Sequence, residues 1–204
     1  MNHPNIARIY ETFEDERYYF IVMEYCEGGE LLEYVSKKNH LDEKSTATVM
    51  KQAMYALSYL HNNNICHRDI KPENFLLASK NGLLEIKMID FGLARKLKSK
   101  EDTMNAITGS PYYIAPEIFS ENYTMKCDIW ALGVLMYVLL CGRYPFNGRS
   151  NDDLYDAIRS GVLKMDQKIW SHYTEESKNF LKSLLKLNPN ERPSAELAST
   201  DVWL

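Results

Sequence analysis

The sequence holds no Gly-x-Gly-x-x-Gly run and only nine glycines in 204 residues. It therefore contains no glycine-rich loop of the kind that cradles a nucleotide's phosphates. Cysteine is scarce: Cys26, Cys66, Cys127 and Cys141 are the only four. Their spacing fits neither a zinc pattern nor a Cys-x-x-Cys redox pair, which argues against disulfides and for reduced, packed thiols in a cytoplasmic protein. A basic excess is also missing, with 24 Lys and Arg against 28 Asp and Glu and a net charge of −4. That balance excludes the electrostatic footprint of a nucleic-acid partner. The longest apolar run, residues 129–140, is too short to span a bilayer and is bracketed by Asp128 and Arg143, so it reads as a core helix and no membrane partner is expected. Signal-peptide and lipidation motifs, internal repeats and low-complexity segments are absent as well. What remains is a chain with 45% hydrophobic residues, enough for a sizeable core in one or two domains.

Against these absences stands His67-Arg68-Asp69-Ile70-Lys71-Pro72-Glu73-Asn74, followed by Asp90-Phe91-Gly92. Phosphoryl transfer needs a carboxylate to orient a hydroxyl nucleophile, a cation near the transferred group and oxygen ligands for Mg²⁺, and these two loops carry all of them. An Asp-Phe-Gly tripeptide alone is a common turn, but order and spacing add specificity. Gly109-Ser110-Pro111-Tyr112-Tyr113-Ile114-Ala115-Pro116-Glu117, Asp128-Ile129-Trp130-Ala131-Leu132-Gly133 and Arg192-Pro193 follow in turn. On these motifs, residues 3–203 resemble the eukaryotic Ser/Thr protein kinases.

The resemblance implies an α+β, protein-kinase-like fold. Residues 1–25 would be an N-lobe remnant in the form of a β-hairpin, 26–29 a hinge and 30–204 a mostly helical C-lobe. It implies an ATP-dependent enzyme that phosphorylates protein Ser/Thr, with ATP and Mg²⁺ as cofactors. Asp69 would accept or orient the substrate hydroxyl proton, Lys71 would reach the γ-phosphate, and Asn74 and Asp90 would hold Mg²⁺. Lys71, two residues after the Asp, is the Ser/Thr pattern. Met23 would be the gatekeeper, although a plain core methionine fits that position too. The backbones of Glu24 and Cys26 would bond the adenine edge, and Leu76 would floor its pocket. Ser110 stands where the family usually has Thr, and its hydroxyl could bond both Asp69 and Lys71. Structural roles fall to His67 as a packed histidine, Asp128 as a tie on the catalytic-loop backbone, and Glu117 with Arg192 as a buried ion pair.

Local composition gives the coarse layout. Residues 8–13 and 18–25, rich in Ile, Tyr, Phe and Val, predict a β-hairpin, and Cys26-Glu27-Gly28-Gly29 a linker. Residues 43–62 carry Val49, Met50, Ala53, Met54, Leu57 and Leu60 at helical spacing. Residues 75–78 and 83–89 predict strands around a tight turn at Asn81-Gly82. Residues 93–107 are polar and aperiodic, an activation segment in the resemblance, where a phosphate on Thr103 or Thr108 could pair with Arg68 and order the loop.

Tyr10-Glu11-Thr12-Phe13-Glu14-Asp15, Cys127-Asp128-Ile129-Trp130 and Leu139-Leu140-Cys141-Gly142 narrow the resemblance to the calcium- and calmodulin-dependent group, nearest the plant and protist calcium-dependent kinases. That group carries EF-hands beyond the kinase domain, so a calcium-sensor module outside this chain is implied, and no EF-hand spacing lies within it. Glu30 and Glu73 beside the peptide groove would favour basic residues on the amino-terminal side of the target. Glu30 contacting the ATP ribose and Glu73 a solvated edge is the alternative. The glycine-rich loop, strand lysine and helix glutamate that grip ATP from above have no counterpart here, so the chain is expected to be amino-terminally truncated. Alone, it is expected to bind Mg-ATP poorly and to aggregate. A pseudokinase or scaffold acting through its helical surface is the second reading, which retention of Asp69, Lys71, Asn74 and Asp90 disfavours. A small-molecule phosphotransferase is a third, and it would not need the 109–117 segment.

Overall fold

The computed structural model describes residues 2–204. The apolar run 129–140 lies within α3 (Lys126–Cys141), in which every residue from Cys127 to Leu140 is buried. A helix apolar on all sides has to be enclosed by others. The main neighbour is α2 (Glu43–Asn62), whose predicted stripe is its buried face. Asp42 caps α2 by accepting the Ser45 N–H at 2.8 Å, satisfying one of the free amides of the first turn. Around this pair stand α1 (Leu31–Lys38), α4 (Asn151–Ser160), α5 (Gln167–Trp170), α6 (Glu175–Leu184) and α7 (Ala195–Ala198). Gly142 ends α3 at φ +64, and a Cβ there would meet the Asn39 carbonyl oxygen at 2.2 Å, so only glycine fits. Among the described residues no helix is long and apolar enough to cross a membrane.

The sheets are small. Strands β1 (Ile9–Glu14) and β2 (Tyr19–Met23) form the expected antiparallel hairpin, with a register shift between Ile9 and Glu11. Asp15 Oδ1 closes its turn by accepting the N–H groups of Arg17 and Tyr18, both at 2.8 Å. The second strand ends at Met23 rather than Tyr25. The Glu24 N–H still donates to the Arg8 carbonyl, but its carboxylate is drawn to Lys87 Nζ at 2.7 Å. Both strands are exposed throughout, Tyr19 at 84% and Ile21 at 60%, because a two-stranded ribbon has no second layer of its own to bury against.

Strand β3 (Gly29–Glu30) pairs with β5 (Phe75–Leu77), and β5 with β6 (Ile86–Met88), all antiparallel. Residues 5–7 lie along the far edge of β6, where the Ala7 N–H donates to the Met88 carbonyl and the Met88 N–H to that of Asn5. The tight turn expected at Asn81-Gly82 is not formed. The last bond of the ladder, from the Ala78 N–H to the Glu85 carbonyl, leaves a wider loop in which Asn81 Oδ1 takes the Leu83 N–H instead. The 93–107 segment also has more order than its aperiodic composition predicts. Strand β7 (Arg95–Lys96) pairs with β4 (Ile65–Cys66), and Met104 exchanges backbone bonds with Tyr123.

Glu117 and Arg192 meet across the fold in a two-pronged pair, 2.5 Å and 2.7 Å. Arg192 also donates to the carbonyls of Lys186, Lys126 and Leu187 and lies over the Trp130 ring. With all this partnering its guanidinium can stay buried.

Candidate active site

The 67–74 loop runs between β4 and β5 and is fixed from beneath by α3. Asp128, in the first turn of α3, accepts the backbone N–H of His67 at 2.9 Å and of Arg68 at 2.8 Å, one on each carboxylate oxygen. His61 Nε2 and Cys66 Sγ reach the same carboxylate. These bonds are what permit Arg68 its left-handed backbone at φ +68, a conformation that a side chain other than glycine's adopts only under constraint. Burial alone would raise the Asp128 pKa, but the His61 and backbone hydrogen bonds outweigh it and hold the carboxyl below its ordinary value.

His67 joins this loop to the next. Its Nδ1 accepts the Asp69 N–H at 3.3 Å and its Nε2 donates to the Ile89 carbonyl at 3.2 Å, while its ring packs on Phe91. The imidazole is thus used at both nitrogens and is fully buried, which fits a structural part and leaves no nitrogen for proton transfer.

Asp69 sits in a ring of donors. Lys71 Nζ lies 2.8 Å from its Oδ2 and Asn74 Nδ2 3.1 Å from the same oxygen. Ser110 donates to Oδ1 at 2.8 Å and accepts from Lys71 Nζ at 2.9 Å. Burial opposes the charge, but Lys71 and Ser110 more than compensate, so the carboxyl lies below the usual carboxylate range. It is ionised at neutral pH and able to accept a proton-bearing hydroxyl.

Asn74 and Asp90 are brought together by the β5–β6 register. The Ile89 N–H donates to the Asn74 carbonyl at 2.9 Å. Asn74 gives its amide nitrogen to Asp69, both carbonyl and carboxylate, so its side-chain oxygen is the end free to ligate. Asp90, at φ +59, is exposed, and its Oδ1 accepts the Gly92 N–H. Two hard oxygen donors from adjacent strand ends, with water for the rest of the shell, match what Mg²⁺ takes from proteins.

Other sequence-predicted residues lie further out. Met23 is 40% exposed on the hairpin and Leu76 is half-buried on β5. The Glu24 N–H is committed to the Arg8 carbonyl, and the Glu24 carbonyl accepts from the Sγ of the buried Cys26 at 4.0 Å. Glu30 is exposed at the end of β3. Thr103 is exposed and Thr108 half-buried, while Arg68 Nε bonds the Leu93 carbonyl. Two features escaped the sequence reading. Cys66 and Cys127, read as scattered thiols, lie with their sulfurs 3.6 Å apart. Tyr113 was not singled out, yet its buried hydroxyl and Glu73 Oε2 both lack a protein partner.

Residues 1–204 match the family pattern described as the protein kinase domain. The chain belongs to that family. Calcium-dependent protein kinase 3 of Plasmodium berghei (strain Anka) is 40% identical over 203 residues, which is 100% of this chain and 37% of that protein. Calcium-dependent protein kinase 5 of the same organism is 42% identical over 100% of this chain and 36% of its own length. A CDPK-related protein kinase of Daucus carota is 38% identical over 99% of the chain and 34% of its own. This kinase domain thus spans about a third of the curated relatives it matches. Nothing among them supports the pseudokinase reading.

Two carboxylates support the kinase domain's fold through pH. Asp128 and Asp69 both have depressed pKa values, so each contributes stability that is full above the unfolded value of about 3.9. That contribution is lost as pH falls through the folded value. Asp128→Asn is expected to destabilise by at least about 1–3 kcal/mol near neutrality, since an amide cannot satisfy all four donors. Denaturation curves at a series of pH values check this: the gap between wild type and variant should shrink as the solution is acidified.

Proposed function

We propose that the protein transfers the γ-phosphate of ATP to Ser or Thr hydroxyls of protein substrates. The observation that carries this reading is the donor ring on Asp69, which combines an ionised carboxylate, the Lys71 cation and the Ser110 hydroxyl within hydrogen-bond distance of one another. Asp69 orients the incoming hydroxyl and takes its proton, and Lys71 neutralises charge on the transferred group. Asn74 and Asp90 would hold Mg²⁺, which supplies charge neutralisation on the phosphates when bound. Within the fold, residues 1–25 act as a remnant of the N-lobe, 26–29 as the hinge and 30–204 as the C-lobe. Met23, Leu76 and the backbone at Glu24 and Cys26 contact the adenine. The relatives' names support calcium control exerted by a module outside this domain, and a phosphate on Thr103 or Thr108 would pair with Arg68 to order the activation segment.

The substrate is basic upstream of the target residue. Glu73 Oε2 and the Tyr113 hydroxyl are buried without partners, and burial together with Tyr144 and Glu73 pushes the Tyr113 phenol up. A buried, unsatisfied carboxylate oxygen is costly unless a ligand completes it, and an arginine guanidinium supplies the matching donors. Glu30, exposed at the end of β3, would add negative charge to that groove, as the kinase resemblance implies. Glu73→Gln is expected to raise KM for a peptide with upstream Arg by about 10-fold or more, a loss of roughly 1.5–3 kcal/mol, with kcat little changed. Steady-state assays of the full-length protein on that peptide and its Arg→Ala counterpart check this; equal KM values for the two peptides on wild type would reject the preference.

A further inference from the structure

Folding brings two of the four cysteines to one point behind the catalytic loop. Cys66, at the end of β4, and Cys127, at the start of α3, are both buried, with their sulfurs 3.6 Å apart. Cys66 Sγ is also 3.2 Å from Asp128 Oδ2, and His61 Nε2 stands 3.0 Å from that same oxygen. We propose that Cys66, Cys127 and Asp128, with His61 as the nearest further donor, form a binding site for a thiophilic divalent cation of the zinc type.

The spacing fits. Two sulfurs on one tetrahedral Zn²⁺, each at about 2.3 Å, stand about 3.8 Å apart, and a sulfur and an oxygen about 3.6 Å apart. The three ligand atoms already lie within 4.8 Å of one another, so small side-chain shifts suffice to converge on an ion. The chemistry fits as well, because two thiolates with imidazole and carboxylate select zinc-like cations over Mg²⁺ or Ca²⁺. Binding is a proton exchange: the cation displaces one proton from each thiol, both leave to solvent, His61 ligates through Nε2 only with its ring proton carried on Nδ1, and no electron moves. A disulfide at the same place is less favoured. It would need the sulfurs to close from 3.6 Å to about 2.05 Å.

The site stands on this geometry alone, whereas its consequence rests on the catalytic reading of the loop. Asp128 Oδ2 holds the His67 N–H. A cation that takes this oxygen withdraws the bond that fixes the loop carrying Asp69, so occupancy inhibits phosphoryl transfer.

Reduced full-length protein is titrated with Cd²⁺, following both the ultraviolet thiolate-to-cadmium charge-transfer band and kinase activity. One more Cd²⁺ is expected to bind per wild-type chain than in Cys66→Ala or Cys127→Ala, with the corresponding band lost in both. Cys141→Ser is expected to behave as wild type. Removing one sulfur should weaken the inhibition by about tenfold or more. Equal stoichiometry and equal bands in wild type and both cluster variants would overturn the site. If neither variant folds, X-ray absorption of zinc-loaded wild type decides: two sulfurs with nitrogen or oxygen ligands support the site, and nitrogen and oxygen alone overturn it. Variant-sensitive binding without inhibition supports the site and counts against the role given to the loop, so the two failures are distinguishable.

Discussion

Asp69→Asn is expected to lower kcat of the full-length protein by about 10²–10⁴-fold, the range spanned by loss of a positioned general base. Asparagine has the same shape and keeps one acceptor oxygen, so Ser110 can still donate to it. It cannot take a proton, and its amide would face Lys71 Nζ, which now stands 2.8 Å from a carboxylate oxygen. Mg-ATP affinity should change far less, because Asn74 and Asp90 supply the metal's oxygens from the next strand pair. The signature is therefore a fall in kcat with KM for ATP nearly unchanged. Circular dichroism and a thermal melt on the same preparation separate lost chemistry from lost fold.

Glu117→Ala is expected to cost about 3–5 kcal/mol of stability, the usual penalty for stranding one member of a buried ion pair. Arg192 is 2% exposed, and with the carboxylate gone it keeps only the carbonyls of Lys186, Lys126 and Leu187 for its charge. The loss extends beyond one contact. Arg192 lies over Trp130, which stacks on Phe146, so the end of the chain, the core helix and the Pro116–Ser120 turn after the Gly109–Glu117 motif are tied together here. Replacing both partners, Glu117→Leu with Arg192→Met, should be milder than either single change, because no uncompensated charge is left. Denaturant unfolding of wild type, Glu117→Leu, Arg192→Met and the double variant forms the double-mutant cycle that measures the coupling.

The sequence was most legible where one physical rule governs. Residues 43–62 carry an apolar stripe at helical spacing, and helix α2 has those bounds. The 129–140 run is apolar on all sides and proved the most enclosed helix in the fold. It was least legible where order comes from distant strands. The 93–107 segment has no periodicity because its two-residue strand pairs with β4, some thirty residues earlier, through backbone groups that side chains do not encode. The Asn81-Gly82 turn failed for a related reason: the Ala78–Glu85 bond closes the ladder before the turn residues are reached. At the site, the motif order pointed to Asp69, Asn74 and Asp90, and their mutual placement needed the fold. Tyr113 and the Cys66–Cys127 contact had no signal in linear spacing at all, since sequence separation hides what α3 brings to the back of the catalytic loop.

Transfer of radiolabelled γ-phosphate from Mg-ATP to a Ser/Thr peptide with upstream arginines, by the full-length protein and its Asp69→Asn variant side by side, tests the central claim most directly. The expected result is label on serine or threonine with wild type and a loss of at least about 10²-fold with the variant. Label of equal rate in both proteins, or none on the peptide with a folded, ATP-binding wild type, would contradict it.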